Sequence, residues 1–413
     1  MGFWFYSYLI TNLVIFIFYY KKTNGIFQAP FLMAYTAIFI LLPQFATIYH
    51  NSFYDKRLIP DLGFVMISCN VSFLFGFEII KRFVKKNKNI ISILFLRKIK
   101  YFLLVIGVIG FTTVFLWAGT KFQEGDNVIQ ANMKSFSQMS FCLVLTSMLT
   151  YRVKNKFSIF MLALSVIPLF YFAFFVKGSR SETLFLLLSI SMYLSFKNPQ
   201  KEIIIRKWTL IILLAGALLS ASIIWIRNVI INKSEYTELS LIDNFVDSFS
   251  QKKVSLGMDL GNAAIGIQYL KESNQLDYGT YMYDDFIQNI VPRRIVGETL
   301  KEGLKFKLVD DQLFIKQQTH GVTTMTGYYF AFRSFSYLGF LLYLLLGAFY
   351  GLIYCKIKNS ASCLYLYLLI LPTIPLIFTH SAGYLYMKIY INFAIAYIFC
   401  HKGFKQYRII KNG

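Results

Sequence analysis

The sequence predicts an all-α fold: a polytopic membrane helix bundle of about eleven transmembrane helices with one large, partly helical outer loop. Three observations predict it. Hydrophobic residues fill 56% of the 413 positions and charged residues only 15%, against about 25% charged in an ordinary soluble domain. The apolar residues come in blocks of about 18 to 25, the length a helix needs to cross a hydrocarbon layer about 30 Å thick. Lysine and arginine gather in alternate connections between those blocks.

In chain order the expected spans are 3–20, 30–50, 62–80, 101–118, 135–151, 158–176, 182–196, 208–226, 328–354, 361–379 and 384–400. The first lacks a basic leader and an Ala-x-Ala-like cleavage site, so it reads as a retained helix. Gly, Ser and Thr within the blocks suit helices packed on helices, and Gly347 and Gly351 form a small-xxx-small face for close approach. The organisation follows: residues 1–226 as the first eight helices, 227–327 as the outer loop, and 328–413 as three further helices and a tail.

Connections on one side hold 23 Lys or Arg, and the short loops on the other side hold 6. By the positive-inside rule the amino terminus lies outside and the carboxyl terminus in the cytoplasm. The formal net charge of +22 is thereby a topological charge that meets anionic lipids, which removes the argument for nucleic-acid binding. The long loop 227–327 differs, with 11 basic and 13 acidic residues. Apolar positions at helical spacing predict an amphipathic helix from Tyr236, a second helix over Met258–Leu270, and a third over Tyr281–Ile290 that stops at Val291-Pro292.

Several cations stand where the topology rule does not favour them. Arg180 lies in the Gly178-Ser179-Arg180 turn between two spans, Arg227 at the outer end of the eighth span, and Arg293 and Arg294 directly after Pro292. Arg333 and Lys388 sit inside the ninth and eleventh spans. Guanidinium groups suit phosphate through paired hydrogen bonds. The alternative use is a local ion pair with Glu182 for Arg180, a headgroup anchor for Arg293 and Arg294, and snorkelling to the surface for Arg227, Arg333 and Lys388. His320 and His380 fall on the same face and have the pKa range of a general base; a hydrogen-bonding role at a helix end serves equally for His380. Tyr328 opens an aromatic run at the ninth span, placed for the interfacial belt or for stacking on sugar rings. The five Cys are scattered, no HExxH or carboxylate-rich run occurs, and no GxxxxGK[ST] is present, so neither a metal nor another cofactor is expected.

Gly178-Ser179-Arg180, Val291-Pro292-Arg293-Arg294-Ile295 and the Tyr328–Gly351 run, with one dominant outer loop, make the chain resemble the bacterial O-antigen and capsular oligosaccharide repeat-unit polymerases of the Wzy type. The resemblance implies a multi-pass protein of the bacterial cytoplasmic (inner) membrane that elongates a lipopolysaccharide or capsular glycan. Its substrate would be an undecaprenyl-diphosphate-linked oligosaccharide, and chain-length regulator and flippase proteins its partners. The implied reaction moves the growing glycan from lipid diphosphate to a sugar hydroxyl of the next unit. Arg180 and Arg293 would then stabilise the departing diphosphate and His380 or His320 take the hydroxyl proton, with Arg294, Arg333, Arg227, Lys388 and Tyr328 binding substrate. A glycan ligase of the O-antigen type and a polysaccharide flippase or transporter remain open alternatives.

Overall fold

A computed structural model describes residues 2–50, 54–84, 180–197, 199–214, 259–291, 296–309, 325–357 and 361–381, with isolated helical positions between 138 and 169. Among the described residues the fold is all-α. The expected number of crossings is corrected: among the described residues four helices are long and apolar enough to cross a membrane, Phe3–Lys21, Ala29–His50, Leu58–Phe83 and Gly327–Lys356. They are apolar helices of the kind a membrane protein has.

The shortfall from about eleven has two sources. The expected spans 101–118 and 384–400 lie outside the described residues, as do most of 135–151 and 158–176 and the second half of 208–226. The seventh and tenth expected spans are described, and their apolar helices are short, Leu184–Phe196 and Cys363–Thr379. The tenth is interrupted by proline, as described below.

The described elements fall into two compact units, one drawn from 1–84, 242–352 and 374–386, the other from 85–241, 353–373 and 387–413. The first unit begins with α1 (Phe3–Lys21), which packs against α2 (Ala29–Thr36) and α4 (Leu58–Phe83). Between α2 and α3 (Leu42–His50) the helix widens into a π turn over Ala37–Leu41. Pro43 has no N–H to give to Phe39, and the wider turn accommodates that missing bond. The helices α1 and α4 run in the same direction, with Trp4 over Gly63 at one end and Tyr19 hydrogen-bonded to Glu78 at the other. Lys22 and Lys81 flank that carboxylate at 3.3 and 3.4 Å.

The second and third helices expected in the outer segment are present as α6 (Asp259–Ser273) and α7 (Thr280–Ile290), the latter ending at Val291 before Pro292. The amphipathic helix expected from Tyr236 lies outside the described residues. Helix α6 packs on α3 and α4. Leu260 N donates to Gln44 Oε1 at 3.0 Å, and Lys271 Nζ meets Asp61 Oδ2 at 2.5 Å. A short helix, α8 (Glu298–Gly303), and a stretch without regular structure to Val309 follow.

The helical run Gly327–Lys356, at the ninth expected span, has the length and apolar composition of a crossing, yet it folds back as a hairpin rather than running straight. Helix α9 (Gly327–Phe335) ends where Ser336 takes φ 54°, a 3-10 turn covers Ser336–Gly339, and α10 (Phe340–Lys356) returns. The Tyr328 and Tyr343 rings stack with centroids 6.1 Å apart, whereas fifteen residues of straight helix would separate them by about 22 Å. Along α4 the return helix runs from Tyr337, bonded to Asp61, down to Gly347 against Phe73 and Gly351 against Phe77. Tyr328 meets Asn70, twelve residues along α4 from Leu58 and so about 18 Å deep. Helix α9 is thus a half-helix that starts in the middle of the bundle and climbs to the hairpin end.

In the second unit α5 (Arg180–Lys197) packs beside α11 (Ala361–Ile370) and the 3-10 turn Leu371–Thr373. Pro372 cannot donate to the Leu368 carbonyl, and Ser189 Oγ donates to that oxygen instead at 3.3 Å. The chain then continues into α12 (Ile374–Thr379) of the first unit.

Candidate functional site

The first unit gathers three of the residues singled out from sequence: Tyr328, Arg333 and His380. Tyr328, on the first turn of α9, is fully buried. Its one hydroxyl hydrogen goes to Asn70 Oδ1 at 2.9 Å, so Tyr8, 3.3 Å away, is the donor to the Tyr328 oxygen. Asn70 Nδ2 in turn donates to Asn12 Oδ1 at 2.9 Å, and Asn12 Nδ2 to the Tyr8 carbonyl at 2.8 Å. This closed relay joins α1, α4 and α9 at mid-depth, where every polar group must find its partner within the protein. At the same end of α9 the hydroxyl of Thr326 is buried with no hydrogen-bond partner among the described residues.

Arg333 lies farther up α9, one and a half turns from Tyr328, and does not snorkel. It is buried, with Nε 2.6 Å from Asp277 Oδ2, although the N–H direction does not align on that oxygen. Asp277 sits in the corner between α6 and α7, where Asn274, Tyr278 and Gly279 all have positive φ. Its backbone N–H donates to the Arg333 carbonyl at 3.0 Å, and its Oδ1 accepts Gly279 N–H at 2.9 Å. Burial raises the Asp277 carboxyl above the ordinary range, with the Arg333 charge and the Gly279 and Ser334 hydrogen bonds opposing.

Beside this pair a groove of about 650 Å³ opens between α7, the 302–309 segment and α9. Its wall carries Tyr281 stacked on Phe330, with centroids 4.8 Å apart. Asp284, Asp285 and Glu302 line it together with Lys305, Lys307 and Arg333. The segment is held to α7 by named bonds: Asp284 accepts the backbone N–H of Phe306 at 2.8 Å and of Lys307 at 3.0 Å. Lys301 Nζ caps the Gln288 carbonyl at 2.7 Å, and Lys305 Nζ reaches Gln288 Oε1 at 2.5 Å. Hydrogen bonds from Lys305 and then Lys307 hold the Glu302 carboxyl down to about 2. A flat aromatic wall with amide, carboxylate and ammonium groups around it suits a ligand rich in hydroxyls and bearing charge.

His380 follows α12, whose Phe378 ring lies 5.9 Å from that of Tyr328. Thr379 Oγ1 donates to the Pro375 carbonyl at 2.9 Å and so has no hydrogen left for the His380 ring. His380 Nδ1, 2.8 Å from that oxygen, is therefore the donor, which makes Nε2 the basic nitrogen of the neutral ring. Burial lowers the imidazole pKa, and the Asp259 carboxylate opposes.

Arg180 opens α5 in the second unit. Arg227, Arg293, Arg294, His320 and Lys388 lie outside the described residues. Asp277 and the groove residues other than Arg333 carry no mark in the sequence that singles them out. The signal available for the groove was the mixed charge of Lys301, Glu302, Lys305 and Lys307, in which Glu302 and Lys305 stand three apart and pair. Among the described residues no cluster of His, Cys, Asp and Glu is arranged to hold a metal. No protein-family model, curated protein or solved structure matches the chain.

Proposed function

We propose that the chain is a membrane glycosyltransferase that polymerises lipid-diphosphate-linked oligosaccharide units at the outer face of a bacterial cytoplasmic membrane. The observation that carries this reading is the groove beside α9. It pairs a stacked aromatic wall with charges of both signs and is lined in part by the half-helix of a membrane hairpin. A glycan whose lipid end stays in the bilayer is the ligand class that uses both features.

In this reading the hairpin end of the bundle is the outer end. An acceptor hydroxyl attacks the anomeric carbon of the donor glycan, its bond to the lipid diphosphate breaks, and the diphosphate leaves with the electron pair. His380 is a suitable proton acceptor because its Nδ1 is committed to Thr379 and its Nε2 carries the lone pair. His320 is the second candidate for that role. Arg180 and Arg293 are assigned to the departing charge, and Arg294, Arg227 and Lys388 to the lipid diphosphate. Arg333 shapes the groove wall with its charge set against Asp277.

The test is incubation of the purified full-length protein in nanodiscs with a single lipid-linked repeat unit. A ladder of lengthened glycans is expected, shortened by Asp285→Asn and abolished by His380→Gln. Intact single units after incubation overturn the polymerase reading, and movement of labelled units across vesicles without lengthening replaces it with transport.

A further inference from the structure

The segment 298–309 leaves four large apolar side chains uncovered: Leu300 is 58% exposed, Leu304 40%, Phe306 59% and Leu308 49%. Water is a poor environment for such a group of neighbours, since apolar area is stabilised by removal from water. The polar side of the segment is already committed. Lys301 is buried on the Gln288 carbonyl, Lys305 and Lys307 are paired with Glu302, and the Phe306 and Lys307 amides are held by Asp284. These bonds fix the backbone so that the uncovered side chains form its other side.

The depth of the segment decides what that side meets. Glu302, Lys305, Lys307 and Val309 line one groove with Phe330 and Arg333 of α9. Phe330 and Arg333 lie between Tyr328, bonded to Asn70 about 18 Å along α4, and Tyr337, bonded to Asp61 near the start of α4. The segment therefore stands level with the outer half of a membrane helix, not above it. Phe335, Tyr337 and Leu338 at the hairpin tip and Tyr278 at the α6–α7 corner are uncovered as well, so apolar surface continues around this end of the unit. An exposed Tyr283 ring stands against Phe306 at 5.2 Å, and apolar and lysine residues alternate along Leu304-Lys305-Phe306-Lys307-Leu308, the composition of an interfacial segment.

We propose that residues 298–309 are a membrane foot: Leu300, Leu304, Phe306 and Leu308 enter the headgroup and acyl boundary of the leaflet at the hairpin end. The partner is the lipid bilayer itself. The groove then opens at the membrane surface, within reach of a ligand whose anchor never leaves the leaflet. The foot stands whether or not the groove takes a glycan, and its test uses no substrate.

The test places single nitroxide labels on the full-length protein with its five cysteines replaced by alanine, in nanodiscs of phosphatidylethanolamine and phosphatidylglycerol. Labels go at Leu304→Cys and Phe306→Cys. References are Leu345→Cys on the exposed face of α10 and Lys56→Cys at an exposed position of the turn before α4. Collision with oxygen relative to a water-soluble nickel chelate is expected to be severalfold higher at 304 and 306 than at 56, approaching the value at 345. Values at 304 and 306 closer to the Lys56 reference overturn the proposal. Leu300→Cys and Leu308→Cys replace either site if its variant does not elute as a single folded species, and the same comparison decides.

Discussion

The Nε of Arg333 lies 2.6 Å from Oδ2 of Asp277, and the backbone N–H of Asp277 donates to the carbonyl of the same arginine at 3.0 Å. One residue of the half-helix thus holds the α6–α7 corner through both side chain and main chain, and the position of α7 follows from it. The groove inherits its width from this contact, because α7 and α9 are two of its walls.

Removing one partner strands the other as a buried charge, which costs about 3 to 5 kcal/mol. Arg333→Met is expected to lower the unfolding temperature of the protein in nanodiscs far more than the double variant Arg333→Met with Asp277→Asn. The asparagine keeps an acceptor for the Gly279 N–H while removing the unpaired charge. Thermal unfolding of the wild type, both single variants and the double variant completes the cycle. Equal losses in the single and double variants would show that the pair is not coupled.

The mid-depth relay predicts a graded response. Tyr328→Phe removes the donor to Asn70 and the acceptor for Tyr8, a loss of about 1 kcal/mol by the measure of interhelical hydrogen bonds in membranes. Asn70→Leu breaks the links to both Tyr328 and Asn12 and is expected to cost more. The order of unfolding temperatures, wild type above Tyr328→Phe above Asn70→Leu, is the measurement.

Helices α4 and α10 touch through glycine. A Cβ at Gly347 would strike the Phe73 backbone carbonyl, and one at Gly76 the Leu344 carbonyl. Gly347→Leu therefore wedges the two helices apart, an overpacking cost of about 1 to 3 kcal/mol or more. Gly303→Ala meets open space and is expected to leave stability unchanged or slightly raised. Fluorescence-detected size exclusion after a heat step separates the two.

What was legible in the sequence was local. Gly347 and Gly351 announce close packing by their spacing, and Pro292 announces the end of α7, because each signal acts within one or two turns. The interruption at Pro372 was equally local, yet the apolar run around it outweighed the proline in fixing the expected span 361–379. The α9–α10 reversal had no such mark. It turns at Ser336, which takes a left-handed φ that glycine or asparagine would have advertised, inside a run as apolar as a straight crossing. Arg333 was visible as a costly charge, but its partner Asp277 stands in a distant turn that only tertiary structure brings to it. The charge of Arg333 is thus legible alone, while the carboxylate the fold sets beside it is not.

His380 makes a prediction about pH whose direction follows from burial. Its pKa in the folded chain lies below the ordinary 6.5, so between the two values the unfolded chain holds the proton and the folded chain does not. Stability accordingly rises with pH across that window and falls as the pH drops below 6.5. Protonation adds a charge to a half-buried ring whose Nδ1 already donates to Thr379. The Asp259 carboxylate opposes this effect, so Asp259→Asn is expected to steepen the acid loss and His380→Gln to flatten it. Unfolding temperatures measured between about pH 5 and 7.5 for the three proteins test the argument. A wild-type profile no steeper than that of His380→Gln would remove His380 as its source.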